Sequence, residues 1–79
     1  MKTIIGVKLS NRSETSIEFQ QILSDYGCSI QTRIGLHDTH TDYCTNFGIV
    51  LLEVIDDKAE ALFDKLSEKW ECQKMSFYL

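Results

Sequence analysis

The chain has 79 residues and a mass of 9.1 kDa, which fits one small domain spanning residues 1–79. With 43% hydrophobic and 25% charged residues, its composition is globular and excludes a disordered tail or a low-complexity linker. The formal net charge is −4 and the eight basic residues are scattered, so we expect no nucleic-acid binding by this chain alone. Because no apolar run approaches the ~20 residues of a membrane span and the first residues carry no signal peptide, we expect a cytoplasmic protein without a membrane partner.

The first strand is predicted at residues 2–10, where apolar side chains recur with a period of two. The alternating sets are Ile5, Val7 and Leu9 on one side, and Ile4, Gly6 and Lys8 on the other. A helix follows, with Asn11 as its predicted N-cap and an end near Tyr26. Its buried stripe has helical spacing and consists of Phe19, Ile22, Leu23 and Tyr26. Gly27 is predicted to end the helix in a left-handed conformation.

The second strand is predicted at residues 28–36, and a polar loop without periodicity is predicted at residues 37–46. Alternation places Cys28, Ile30, Thr32, Ile34 and Leu36 on one face, and Ser29, Gln31, Arg33 and Gly35 on the other. We expect Cys28 to be a small buried side chain and Cys72 to be inert. Three cysteines in a chain without an export signal indicate reduced thiols rather than a disulfide framework.

The third strand, residues 47–55, is apolar on both faces, which is typical of a central strand covered on both sides. A second helix is predicted after it, with Asp57 as its N-cap, and residues 72–78 form the last strand. The buried stripe of this helix consists of Ala59, Leu62, Phe63, Leu66 and Trp70.

This order of elements predicts an α+β, ferredoxin-like βαββαβ fold: a four-stranded antiparallel sheet with two helices on one face and the first and third strands in the centre. The other sheet face then needs a cover, and a second subunit is the simplest one. We therefore predict a homodimer or homotetramer, and we assign Val50, Leu52 and Val54 to its interface. A different protein partner is the alternative cover.

The predicted loop contains the chain's one cluster of soft metal ligands, His37, His40 and Cys44, which Asp38 or Asp42 could complete. Imidazole and thiolate suit nickel, zinc or iron, so we predict a transition-metal site here. The spacing matches no standard structural zinc motif, and a polar connecting loop with solvated histidines is the simpler interpretation.

Two residues of the second strand are candidates for binding an effector. Arg33 is predicted on the face that meets the second subunit, where it either binds an anionic ligand or, as we favour, pairs with Glu53. Gly35 indicates either close approach by a ligand or, as we slightly favour, a bulge before the loop.

Two segments, Thr32 to His37 and Cys44 to Glu53, resemble the family of iron-only hydrogenase system regulators. The resemblance implies a free-standing ACT-like, ferredoxin-like domain with a regulatory role. The sequence has no Ser/His/Asp arrangement and no Gly-rich phosphate loop, so we expect no enzyme activity. The placement of His37, His40 and Cys44 also resembles, more loosely, the C-terminal domain of nickel-responsive repressors, which implies the sensing half of such a protein.

These observations predict a non-catalytic regulatory module that senses a small effector or a transition metal at or near a subunit interface. The alternative is a structural interaction subunit without a ligand. A small enzyme with Cys44 as its nucleophile ranks third.

Overall fold

The computed structural model describes residues 1–10, 16–36 and 47–78, with the backbone alone for Phe47. The elements follow the predicted order, strand–helix–strand twice. They are β1 (Lys2–Ser10), α1 (Ile17–Asp25), β2 (Ile30–Leu36), β3 (Phe47–Val54), α2 (Ala59–Ser67) and β4 (Glu71–Phe77). This order confirms the βαββαβ prediction.

The four strands form one sheet in the order β2-β3-β1-β4, and every neighbouring pair is antiparallel. β1 and β3 are therefore central, as predicted. β1 pairs along its length with β3, from Thr3 opposite Val54 to Ser10 opposite Phe47. The α+β ferredoxin-like fold is thus confirmed.

The hydrophobic core lies between both helices and one face of the sheet. Its sheet side consists of Ile5, Val7, Leu9, Val50, Leu52 and Val54, each at most 1% exposed. Its helix side consists of Phe19, Ile22, Leu23, Ala59, Leu62 and Leu66. The Phe19 and Trp70 rings meet edge to face, with centroids 5.3 Å apart.

The subunit-interface prediction for Val50, Leu52 and Val54 is wrong, because these side chains are buried beneath the helices. Antiparallel partners share a face, and Val50 and Leu52 lie opposite Val7 and Ile5 of the core. The apolar side chains of β3 that the helices leave uncovered belong to the opposite set.

A β-bulge in β2 changes which of its residues lie on each face of the sheet. Ile30 pairs with Val54 and packs against the core, but the pairing shifts before Thr32, which pairs with Glu53. From Thr32 onward the even-numbered residues therefore lie on the face away from the helices. The bulge falls near Gln31, not at Gly35 as predicted, because the β2–β3 register is regular from Thr32 to Leu36.

The helix caps differ from the predicted ones. α1 begins at Ile17, and the Ser16 hydroxyl accepts a hydrogen bond from the Phe19 amide at 3.1 Å. Asn11, the predicted cap, lies outside the described residues. α2 has Lys58 at its N-cap position instead of Asp57, and no side chain caps it.

Gly27 follows α1, but no described residue has a positive φ, so its predicted left-handed conformation is wrong. The turn depends instead on a close approach. The Gly27 amide donates to the Ser24 carbonyl at 3.1 Å, and a Cβ on Gly27 would lie only 3.2 Å from that oxygen.

Asp56 connects the start of α2 to the turn before β2. Its carboxylate accepts from the Lys58 amide at 3.0 Å and from the Ser29 hydroxyl at 2.8 Å. The amide hydrogen bond, and then the hydroxyl one, hold the pKa of Asp56 below its ordinary value. Within the described ranges, no helix has the length and apolar character needed to cross a membrane.

Candidate functional site

The side of the sheet away from the helices, here called the open face, carries five of the nine exposed large hydrophobic side chains of the described residues. The strand registers place the even-numbered residues 2–8 of β1 and 32–36 of β2 on it, with the odd-numbered residues 49–53 of β3 and 71–77 of β4. Those five side chains are 45–58% exposed: Ile34, Leu36, Ile49, Met75 and Phe77. Contiguous exposure of this kind is typical of an interaction surface.

A shallow depression lies at the centre of the open face, where Gly6 of β1 has no side chain. Its volume is about 290 Å³, and its apolar lining comes from Ile4, Ile49, Leu51 and Met75. Leu51 lies directly beside Gly6, because the two residues are register partners on the central strands. The open face thus carries a large apolar side chain next to a residue that has no side chain.

Glycine at position 6 is not required by the subunit itself. Its φ is not positive, and an added Cβ would make only ordinary contacts, 3.5 Å from Leu51 Cδ2, 3.9 Å from the Gln73 carbonyl oxygen and 4.0 Å from Ile49 Cγ2. A glycine inside a strand costs about 0.5–1 kcal/mol relative to alanine. In strand interiors, such a glycine often marks the close approach of another group.

Glu53 provides a fixed negative charge on the open face. Its carboxylate lies 2.6 Å from the Lys2 ammonium and accepts a hydrogen bond from the Thr32 hydroxyl at 2.7 Å. The Lys2 contact, and then the Thr32 hydrogen bond, lower the pKa of Glu53. The sequence analysis did not predict this cluster of three residues. The pairing of Ile4 with Glu53 places the carboxylate on the open face, and this pairing is known only from the structure.

The predicted pairing of Arg33 with Glu53 is wrong, because the two side chains lie on opposite faces. Arg33 is opposite Leu52 and therefore lies on the helix side of the sheet. Its guanidinium donates to Gln20 Oε1 at 3.2 Å and lies 5.6 Å from the centroid of the Phe19 ring. It is exposed there, away from the face predicted to meet a second subunit.

Gly35 lies on the same helix side, opposite Val50. The structure therefore places Arg33 and Gly35 together on one face of β2, but apart from the depression at Gly6. Both residues are exposed, and Arg33 reaches a helix side chain rather than a neighbouring strand. Binding of an anionic effector by this pair stays a prediction.

The predicted metal ligands His37, His40 and Cys44 lie outside the described residues, as do Asp38 and Asp42. Within the described part of the chain, no group of three His, Cys, Asp or Glu side chains could hold a metal ion. The metal site therefore stays a prediction from the sequence.

The two described thiols differ in exposure. Cys28 is exposed in the turn after α1, so its predicted burial is wrong. Cys72 is half-buried, its Sγ lies 3.5 Å from the Trp70 carbonyl oxygen, and its pKa is raised by burial, with a smaller contribution from Glu71. A raised pKa keeps Cys72 in the thiol form, which is a poor nucleophile.

Comparison of the chain with models of protein families, with curated proteins and with solved structures gives no match.

Proposed function

We propose that this chain is a non-catalytic regulatory module that acts by associating with a second protein surface through its open face. The observation that carries the proposal is the group of half-exposed apolar side chains on that face, which lies opposite the core. A domain of this size buries little more than about 60% of its unfolded surface, so covering the face would also add stability.

The resemblance to iron-only hydrogenase system regulators supports the regulatory part of the proposal. In its sensing form, a transition metal binds His37, His40 and Cys44, or a small anionic effector binds near Arg33. Occupancy of either site then changes the association. Nickel, zinc or iron would suit the imidazole and thiolate ligands.

The association is tested with Ile34→Lys, which places a charge on the open face at a side chain that is 49% exposed. Analytical ultracentrifugation is expected to show a concentration-dependent oligomer for the wild type and a monomer for the variant, because burying an unpaired ammonium is costly. The matched control is Ile17→Lys, the same exchange at an α1 residue that is 87% exposed, which should associate like the wild type.

A wild type that stays monomeric at the highest attainable concentration, and that binds no partner through this face, would contradict the proposal. Circular dichroism of both variants would verify that each one is folded.

Metal sensing is tested separately by native mass spectrometry of the reduced, metal-free protein with added nickel, zinc or ferrous iron. The expected result is one ion per subunit, lost in His40→Ala and in Cys44→Ala. Uptake that is unchanged in both variants would exclude the predicted ligand set and leave the association proposal intact.

A further inference from the structure

We infer that the cover of the open face is a second copy of this chain, packed face to face so that Leu51 of each subunit fits over Gly6 of the other. This inference rests on the proposed association and identifies its partner and geometry. Two observations lead to it: a glycine that the subunit does not require, and a large apolar side chain at the adjacent register position.

The geometry follows from two-fold symmetry. In the face-to-face dimer we infer, the two-fold axis lies between the two sheets, parallel to the central strands and midway between β1 and β3, so that β1 of one copy lies over β3 of the other. Gly6 and Leu51 are directly opposite each other on those two strands. Each copy's Leu51 is therefore placed over its partner's Gly6, twice in the dimer.

The charges of the open face favour a second copy. The chain carries a net charge of −4, but the strand residues of this face include two lysines and two glutamates: Lys2, Lys8, Glu53 and Glu71. The face is thus neutral, so two copies can meet there without the repulsion that their total charges would produce elsewhere. Glu53 already has Lys2 as its partner and enters the interface paired.

The size of the face approaches that of a stable dimer interface. Four strands about 4.8 Å apart, each with three or four open-face residues about 6.8 Å apart, give a flat area of about 450 Å² per copy. Side-chain relief increases the accessible area beyond this value, towards the roughly 800 Å² per partner of a standard stable interface. The depression has a volume of about 290 Å³, and a side chain of the partner could occupy part of it.

Gly6→Ala tests whether the glycine serves the dimer. In the monomeric Ile34→Lys background, this exchange is expected to raise the urea midpoint of unfolding, because the added methyl fits within the subunit and restricts the unfolded chain. In the otherwise wild-type chain it is expected to weaken dimerisation about tenfold to a hundredfold, because the methyl occupies the space needed by the partner's Leu51.

Gly6→Ala is thus expected to stabilise the isolated subunit and to weaken the dimer. This combination distinguishes a glycine needed for the contact between subunits from a glycine needed within one subunit. A Gly6→Ala chain that dimerises as tightly as the wild type would overturn the inference. A lowered urea midpoint in the monomeric background would also overturn it, because the glycine would then be required by the subunit itself.

Cross-linking tests the pairing directly, in a chain whose native cysteines at positions 28, 44 and 72 are replaced by serine. A Gly6→Cys chain is mixed with a Leu51→Cys chain and treated with a short bismaleimide. The expected product is a covalent heterodimer in excess over both homodimers. In the heterodimer one contact keeps the native glycine and leucine, while the other joins the two new thiols.

The matched control pairs the Gly6→Cys chain with a Lys65→Cys chain, whose thiol lies on the exposed surface of α2, and it should give no cross-link. Pairing of sheet edges would hold positions 6 and 51 of different copies about 19 Å apart, four strand spacings, and would also give none. Association that is lost in Ile34→Lys but gives no heterodimer would therefore overturn this geometry while leaving the proposed function standing. A monomeric wild type would overturn this inference, and it would overturn the proposed function as well if no other protein binds the open face.

Discussion

Glu53 keeps its charge on a largely apolar sheet face because two neighbouring strands supply its partners. Lys2 of β1 and Thr32 of β2 both contact its carboxylate. The position of Thr32 depends on the β2 bulge, which brings it opposite Glu53. A single irregular position in one strand thus determines the environment of a charge on the next strand.

Replacing Glu53 by glutamine is expected to lower stability near neutral pH and to leave it almost unchanged in acid. The folded-state pKa of Glu53 is lowered, so its stabilising contribution is present above the unfolded-state pKa and is lost as pH falls through the folded-state value. Urea unfolding of the wild type and Glu53→Gln at pH 7 and pH 3 measures the difference. Equal differences at both pH values would contradict the assignment. Glu68→Gln, at the exposed end of α2, is the control.

The two described thiols should differ in reactivity. Cys28 is exposed, whereas burial raises the pKa of the Cys72 thiol, and the thiolate is the reactive form. Iodoacetamide at pH 7.5 is expected to modify Cys28 at least about tenfold faster than Cys72. Peptide mapping by mass spectrometry measures both rates, and similar rates would contradict the prediction.

The rate at Cys44 in the same experiment tests the cysteine-enzyme alternative, which requires an unusually reactive thiolate there.

At the scale of elements, the N-terminus of α1 depends on one hydroxyl. Ser16→Ala is expected to destabilise the fold by about 1 kcal/mol, because the Phe19 amide loses its acceptor. Ser16→Asp should restore most of the loss, since a carboxylate caps as well and suits the positive end of the helix dipole. Urea unfolding measures all three chains. If Ser16→Asp is as unstable as Ser16→Ala, the hydroxyl acts in another way.

The order of the strands and helices could be predicted because β1 and both helices carry regular apolar patterns that agree with each other. The buried face of β3 could not be predicted, because Val50, Leu52 and Val54 are as apolar as Ile49 and Leu51. The pairing register decides between the two sets, since Val7 lies opposite Val50. The bulge in β2 left no signal in the sequence, so the faces of Arg33 and Ile34 were exchanged in the prediction.

The candidate site was predicted only in part, because its residues also depend on the pairing register. The fold alone predicts that one sheet face is uncovered. Which residues lie on that face depends on the register between strands, and the alternation of apolar residues along a single strand does not reveal the register. Glycine at position 6 could have been recognised as unusual for a central strand. Its position beside Leu51 required the β1–β3 pairing.

For the whole molecule, association and stability should be linked. Binding that occurs only in the folded state raises the melting temperature with concentration. The wild type is therefore expected to melt at a higher temperature as its concentration increases, and monomeric Ile34→Lys should melt at one temperature throughout. Differential scanning calorimetry over a hundredfold concentration range measures both. A wild type with a constant melting temperature would indicate that association contributes nothing to its stability.

The position of β1 between β3 and β4 has a consequence for how the chain reaches this structure. β1 is made first, yet its partner on one side is the last strand, with Lys2 opposite Phe77. During synthesis, one edge of β1 stays without its native hydrogen-bond partners until β4 (Glu71–Phe77) has been made. Contacts so distant in sequence slow folding, and nascent chains with an unpaired edge are prone to aggregate. Translation rate and chaperone supply should therefore influence the yield of this small domain more than its size suggests.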